Sequence, residues 1–77
     1  MTLRVEFTIE PFVAGEPGAH VLAANDAAVA HGLAVDFGPF GSSGEGPDDV
    51  VLGAVDAAFR AAMAAGATRV SVQVSRV

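Results

Sequence analysis

Three stretches of the chain alternate apolar and polar residues with the two-residue period of a half-buried β-strand. They are residues 5–9, residues 33–37 and residues 70–74. Pro11 cannot donate a hydrogen bond to a neighbouring strand, so the first strand is predicted to end before it. One side of each strand is expected to face a core and the other side to face water.

Two other stretches repeat apolar residues every three or four positions, which is the period of a helix that buries one face. The first covers residues 19–31 and is predicted to end at Gly32 in a left-handed cap. The second begins at Pro47, where the two following aspartates suit the positive end of a helix dipole, and stops at Gly66. The predicted core face of the first helix is Val21, Leu22, Asn25, Ala28 and Val29, and that of the second is Val51, Leu52, Val55, Ala58, Phe59, Ala62 and Met63.

A glycine-rich stretch, residues 37–46, lies between the second strand and the second helix. Gly38 and Pro39 predict a turn, and the residues after them a third strand. The element order is then β-α-β-β-α-β within one domain, residues 1–77. This order predicts an α+β fold, the ferredoxin-like βαββαβ sandwich, with a four-stranded antiparallel sheet and two helices on one face.

The other face of that sheet is predicted to be polar, and the chain is short for a self-sufficient core. With 77 residues it lies near the lower limit at which one apolar core stabilises a domain. It has no cysteine, which excludes disulfides and thiolate metal sites, so oligomerisation is the remaining stabiliser. The polar face comprises Arg4, Glu6, Thr8, Asp36, Arg69, Ser71, Gln73 and Ser75.

The charge of the chain argues against two classes of partner. Nine acidic and four basic residues give a formal net charge of −5, which repels nucleic-acid phosphates and anionic membrane surfaces. No segment has the length of a signal peptide's apolar run or of a membrane span, and a cytoplasmic location is expected. Cationic or neutral ligands are favoured by the same charge.

Ser42, Ser43 and Glu45 are the candidate chemistry of the glycine-rich stretch, because they place two hydroxyls and a carboxylate on a backbone that a ligand can approach. The alternative is an edge strand leading into a helix cap. A phosphate-binding loop is disfavoured, since the P-loop lysine is absent and three acids, Glu45, Asp48 and Asp49, lie where the phosphate would bind.

The aromatic and histidine residues give weaker evidence for a functional site than the glycine-rich stretch does. Phe7, Phe37 and Phe59 fall on predicted core positions, whereas Phe40 could stack on a flat heterocycle or fill a core or interface position. His20 and His31 would lie about 16 Å apart along a helix, too far to share a metal ion. Both are predicted to be surface or terminal histidines, and no hydrolytic triad is recognisable.

Several of these motifs together resemble the thiamine-binding protein family. Residues 41–46 read Gly-Ser-Ser-Gly-Glu-Gly, similar to that family's Gly-Ser/Thr-x-x-Glu-Gly element before the second helix. Residues 66–70 read Gly-Ala-Thr-Arg-Val, similar to its Gly-Ala-x-Arg-Val element at the fourth strand. Pro11 also falls where the family ends its first strand. Ser43 and Gly44 depart from the family, which often has apolar residues at these positions.

The resemblance implies non-catalytic binding of thiamine or its hydroxymethylpyrimidine half, without a cofactor or a metal ion. It also implies a homo-oligomer, commonly a dimer of dimers assembled through the sheets. The ligand contacts expected on this basis are Ser42, Ser43 and Glu45, with Phe40 as a stacking wall and Thr8 contributing from the first strand.

Two other functions stay open at this point. One is a regulatory ferredoxin-like interaction module that binds an amino acid or a partner protein through the polar sheet face or an edge strand. The other, the least favoured, is a small enzyme with Glu45 as general base, because no residue of the sequence is recognisable as orienting that carboxylate.

Overall fold

The computed structural model describes residues 2–11, 18–38 and 41–77. Their secondary structure confirms the βαββαβ order and the α+β ferredoxin-like arrangement. Phe12 and Phe40 lie outside the described residues. The elements are β1 (Thr2–Glu10), α1 (Ala19–Ala30), β2 (Asp36–Gly38), β3 (Gly41–Pro47), α2 (Asp48–Ala64) and β4 (Arg69–Arg76).

The four strands form one antiparallel sheet in the order β2-β3-β1-β4. β1 is central and pairs with β3 on one side and with β4 on the other. Its alternate residues, Leu3, Val5, Phe7 and Ile9, are buried on the face that the two helices cover, which we call the helix face. The opposite face, called the open face, carries Arg4, Glu6, Thr8 and Glu10 from the same strand, as the alternation of β1 predicts.

The helices reach the core mainly through alanine. Ala24 and Ala28 are the buried apolar residues of α1, and the buried residues of α2 are Val51, Ala54, Ala58 and Ala62. Gly44 in β3 lies where a Cβ atom would be only 2.8 Å from the Ala34 carbonyl oxygen. Small residues on both layers therefore let the backbones approach closely, which fills a core that has few large side chains.

Both helices end as predicted, at glycines with positive φ angles: 91° at Gly32 and 102° at Gly66. The Leu33 N–H donates back to the Ala28 carbonyl (3.2 Å) and the Gly32 N–H to the Val29 carbonyl (2.9 Å), which is a Schellman closure. The second strand is therefore shorter than predicted. Leu33 is buried but bonded to the helix end, and strand pairing starts only at Asp36.

The predicted core faces of the helices are partly wrong. On α2, Leu52, Phe59 and Met63 are exposed, and Ala54 is buried instead. On α1, Leu22 and Val29 are exposed, whereas Ala24 and His20 are buried. The apolar stripes in the sequence are wider than the contact each helix makes, and the small residues rather than the large ones fit against the sheet.

Three further positions differ from the sequence-based expectation. Phe37 was predicted in the core but is exposed, because β2 is a three-residue strand at the edge of the sheet. Val74 faces the helix side of the other edge strand and is also exposed. His20 was predicted at the surface but is buried, and its Nε2 lies 2.7 Å from the Pro11 carbonyl oxygen.

Candidate ligand-binding site

The alternation of β3 sends the two adjacent candidate serines to opposite faces of the sheet. Ser42 pairs with the buried Phe7 and is itself buried on the helix face. Ser43 pairs with Glu6 and lies on the open face, and Glu45 pairs with Arg4 two residues further along the same side. The structure thus brings Ser43, Glu45 and Thr8 to one face and separates Ser42 from them.

The hydroxyl of Ser42 forms a hydrogen bond inside the protein. Its Oγ donates to Oδ1 of Asn25 on α1, at 2.9 Å, and both side chains are buried. The amide nitrogen of Asn25 is buried too and makes no hydrogen bond to any described residue. This pair links α1 to β3, so Ser42 has a structural role regardless of any ligand.

A concavity of about 440 Å³ lies over the open face. It is shallow and spans all four strands near the end of the sheet where β2 and β3 meet. Pockets for small molecules are commonly about 300–1,000 Å³, so the volume suits a ligand of the size of one or two small rings. Its lining residues are Arg4, Glu6, Phe7, Thr8, Asp36, Gly38, Gly41, Ser42, Ser43, Ser71, Val72 and Gln73.

The floor of this concavity includes a row of polar residues, one from each strand. Asp36 pairs with Ser43, Ser43 with Glu6, and Glu6 with Gln73. At the usual spacing of about 4.8 Å between strands, the two carboxylate residues flank the serine at about 9.6 Å from each other. A hydroxyl between two acids, in a row that ends in an amide, is suited to a ligand that donates hydrogen bonds or carries positive charge.

The neighbouring part of the floor consists of two glycines and two small hydroxyl residues. Gly38 pairs with Gly41, and Thr8 pairs with Ser71. A Cβ atom on Gly41 would lie 3.0 Å from the Phe7 carbonyl oxygen and 3.0 Å from Thr8 Cγ2. The absence of side chains at Gly38 and Gly41 leaves a hollow beside the polar row, and the Thr8 methyl group borders this hollow at Gly41.

Arg4 is the only basic residue among those that line the concavity, and its side chain faces two acids. Its Nε lies 3.2 Å from Glu6 Oε1, and its Nη1 lies 3.9 Å from Glu45 Oε2. All three side chains are about half exposed, so these ion pairs are worth little in stability. Glu45 does not line the concavity itself and borders the site through Arg4.

The remaining sequence-predicted positions divide as follows. Thr8 lines the concavity, and Ser42 lines it while directing its hydroxyl to Asn25. Phe40 lies outside the described residues. Among residues 2–11, 18–38 and 41–77 no group of three histidine, cysteine, aspartate or glutamate side chains could hold a metal ion. In the same ranges no helix is long and apolar enough to cross a membrane.

Asp36, Glu6 and Gln73 were predicted on the polar sheet face but not as site residues. Their strand alternation was visible in the sequence. What the sequence lacked was the register between strands, which aligns the three with Ser43 in one row. Register depends on pairing between segments distant in the chain, and no local motif reports it.

No protein-family model matches this chain, and no curated protein matches its sequence. Solved structures do match its fold. A domain of unknown function, DUF77, from Bacillus cereus superposes with a TM-score of 0.73 at 24% identity, covering 99% of this chain and 76% of that one. A hypothetical protein from Methanocaldococcus jannascii gives a TM-score of 0.70 at 22% identity, covering 99% of this chain and 81% of that one.

A third similar structure, from Thermotoga maritima, carries a provisional assignment to thiamine biosynthesis or salvage. It has a TM-score of 0.56 at 19% identity and covers 97% of this chain and 81% of that one. Identities below 25% establish a shared fold and leave the ligand open. The chain therefore has the fold of DUF77 proteins and of a protein linked by name to thiamine metabolism.

Proposed function

We propose that this protein binds thiamine or its hydroxymethylpyrimidine half, without catalysis, in the concavity on the open face of the sheet. The observation that carries the proposal is the polar row in which Ser43 lies between Glu6 and Asp36 beside the glycine hollow. The thiamine-related name of one structural neighbour supports the choice of ligand.

The chemistry of the row suits this ligand. Thiamine has a fixed positive charge and an aminopyrimidine with an exocyclic amine. An amine can donate to Asp36 or Glu6, and a ring nitrogen can accept from the Ser43 hydroxyl. The flat pyrimidine would lie over Gly38 and beside Gly41, next to the side chain of Thr8.

In this proposal Glu45 does not contact the ligand and acts through its ion pair with Arg4. Together with Glu6 it pairs with Arg4 at the border of the concavity, whereas Asp36 forms no ion pair within residues 2–11, 18–38 and 41–77. Replacing Glu45 with Gln would remove one of the two acids that compensate the charge of Arg4. Its positive charge would then oppose a cationic ligand.

Isothermal titration calorimetry with thiamine, hydroxymethylpyrimidine and thiamine diphosphate tests the proposal. Asp36→Asn and Ser43→Ala are expected to weaken binding about tenfold or more, because each removes a charge-assisted or hydroxyl contact worth roughly 1.4 kcal/mol. Asp26→Asn is the matched control, since Asp26 is an exposed carboxylate on α1 outside the concavity.

Thiamine diphosphate is expected to bind more weakly than thiamine, because its phosphates would meet Glu6 and Asp36. Equal loss of affinity in Asp26→Asn, or tighter binding of the diphosphate, would contradict the proposed site. If an amino acid binds and neither thiamine nor hydroxymethylpyrimidine does, the regulatory-module function replaces this one.

A further inference from the structure

Three exposed apolar side chains lie between the outer side of α1 and the edge strand β2. Leu22 and Val29 of α1 are 48% and 57% exposed, and Phe37 of β2 is 47% exposed. Asn25, also on α1, is buried beside them. We call the space bordered by Leu22, Asn25, Val29 and Phe37 the α1–β2 groove.

Helix geometry places Leu22 and Val29 on the side of α1 that faces away from α2. A Cβ atom on Gly53 of α2 would lie 3.3 Å from His31 Nδ1, so the side of α1 that ends at His31 faces α2. At about 100° per residue, Leu22 and Val29 lie about 160–180° around the helix axis from His31. Asn25 lies about 120° from His31, between these two residues and the sheet.

Strand pairing places Phe37 below this side of α1. Phe37 pairs with Ser42, and directly opposed residues of two strands carry their side chains on the same face. Ser42 is buried on the helix face and donates to Asn25. Phe37 therefore also lies on the helix face, one strand further out, at the edge of the sheet.

The Asn25 amide has a buried donor without an acceptor. Its Oδ1 accepts from Ser42, whereas its Nδ2 is buried and makes no hydrogen bond within the described residues. Most buried side-chain polar atoms in proteins are paired, because an unpaired one loses its hydrogen bonds to water without replacement. An acceptor from outside the chain would therefore be favoured at Nδ2.

The side chains next to Asn25 on the groove side can give such an acceptor access. Leu22 lies three residues before Asn25 and Val29 four residues after it, so both are its neighbours on the helix surface. Both are about half exposed, and exposed side chains change rotamer within nanoseconds. A rotamer change of Leu22 can therefore open a path to Asn25 without moving the helix.

We propose that the α1–β2 groove is a second ligand site, for a neutral planar ring that carries one hydrogen-bond acceptor. The ring lies against Phe37 and between Leu22 and Val29, and its acceptor receives a hydrogen bond from Asn25 Nδ2. The ligand is neutral because the amide donor opposes a positive charge, while exposed Asp26 and the net charge of −5 oppose an anion.

This site goes beyond the proposed function, because the groove and the concavity lie on opposite sides of the sheet. Asp36 and Gly38 line the concavity, whereas Phe37 between them faces the helix side. The bond between Ser42 and Asn25 keeps its structural role, since the ligand uses only the other polar atom of the amide.

A nuclear magnetic resonance titration of the ¹⁵N-labelled protein with acetophenone tests this site. Acetophenone is a phenyl ring with one carbonyl acceptor and no donor, and toluene is the same ring without the acceptor. Acetophenone is expected to bind with a Kd of about 1 mM, which is reasonable for so small a ligand. It should shift the amides of residues 22–29 and of Phe37, with little change at Ser71 and Gln73 on the open face.

Phe37→Ala is expected to weaken acetophenone binding about fivefold or more, because it removes the aromatic wall of the groove. Phe59→Ala is the matched control, since Phe59 is also an exposed phenylalanine but lies on α2, outside the groove. It is expected to leave the Kd unchanged.

The role of the Asn25 donor is measured in a double variant, Ser42→Ala with Asn25→Leu, which leaves no unpaired polar group of this pair in the core. Acetophenone binding is expected to fall about tenfold, because the hydrogen bond to its carbonyl is lost. Toluene binding is not expected to weaken. An equal loss for the two ligands would show that Asn25 does not donate to the ligand, and would overturn the proposal.

The absence of any shift with acetophenone at about 10 mM, ten times the expected Kd, would also overturn it. So would shifts confined to the open face, or equal weakening in Phe37→Ala and Phe59→Ala. None of these results would touch the proposed thiamine site, because calorimetry of thiamine against Asp36→Asn reads that site separately.

Discussion

Ser42 and Ser43 are neighbours with the same side chain, yet they lie on opposite faces of the sheet in different surroundings. Ser42 is buried and donates to Asn25, so its hydroxyl helps to hold α1 on the sheet. Ser43 faces the open side between Glu6 and Asp36, where its hydroxyl is available to a ligand. The comparison shows that one face of this small sheet serves stability and the other is free to serve binding.

The largest difference in stability between variants of the two faces is expected at the adjacent residues Phe7 and Thr8. Phe7→Ala should lower the free energy of unfolding by about 3–5 kcal/mol, because it removes a buried ring and leaves a cavity on the helix face. Thr8→Ala on the open face should change it by no more than about 0.5 kcal/mol. Urea denaturation of both variants measures this. A similar loss in the two variants would mean that the open face is also part of the core.

A comparison of two glycines in β3 tests the close packing on the helix face. Gly44→Ala is expected to destabilise by about 1–3 kcal/mol, since its Cβ would lie 2.8 Å from a backbone carbonyl oxygen that cannot easily move. Gly46→Ala is the control, because its nearest neighbour would be 3.7 Å away, at ordinary contact distance. Thermal melting of the two variants gives the difference. Equal melting temperatures would contradict the close approach of β3 and the segment before β2.

The two serines provide the next prediction. Ser42→Ala removes the Asn25 bond and leaves a buried amide with no described partner, at a cost of about 1–3 kcal/mol. Ser43→Ala should leave stability within about 0.5 kcal/mol. Replacing both members of the buried pair, Ser42→Ala with Asn25→Leu, should recover much of the loss, because no unpaired polar group remains. If the double variant is no more stable than Ser42→Ala, the pair does not act as described.

The smallest effects are expected at the surface ion pairs. Arg60→Gln breaks the Asp56 pair on α2, in which both side chains are mostly exposed, and should cost no more than about 0.5 kcal/mol. The same loss at high salt as at low salt, in urea denaturation, would show that a contact other than the ion pair was removed.

Most of the fold could be predicted from the sequence, because periodicity and end signals are local. Alternation in β1 and β4, the three-to-four repeat in α2 and the terminal glycines Gly32 and Gly66 each specify an element without reference to the rest of the chain. The common failure was the choice of buried side chains on the helices. Leu52 and Phe59 are better core residues than alanine by size, but α2 contacts the sheet through Ala54 and Ala58.

The candidate site was predictable only in part. β3 contains no large apolar residue, so its sequence gives no signal for which side faces the core. For this reason Ser42 and Ser43 were grouped together although they face opposite ways. The concavity also depends on residues of all four strands, and only the register brings Asp36, Glu6 and Gln73 into one row with Ser43.

The most direct test of the division between the two faces is a nuclear magnetic resonance titration of the ¹⁵N-labelled protein with thiamine. The largest amide shift changes are expected at Asp36, Gly41 and Ser43 and at Gln73, on or beside the polar row, with small changes along α1 around Asn25. If the changes concentrate on α1 and leave the polar row unmoved, the ligand binds on the helix side and the account is contradicted.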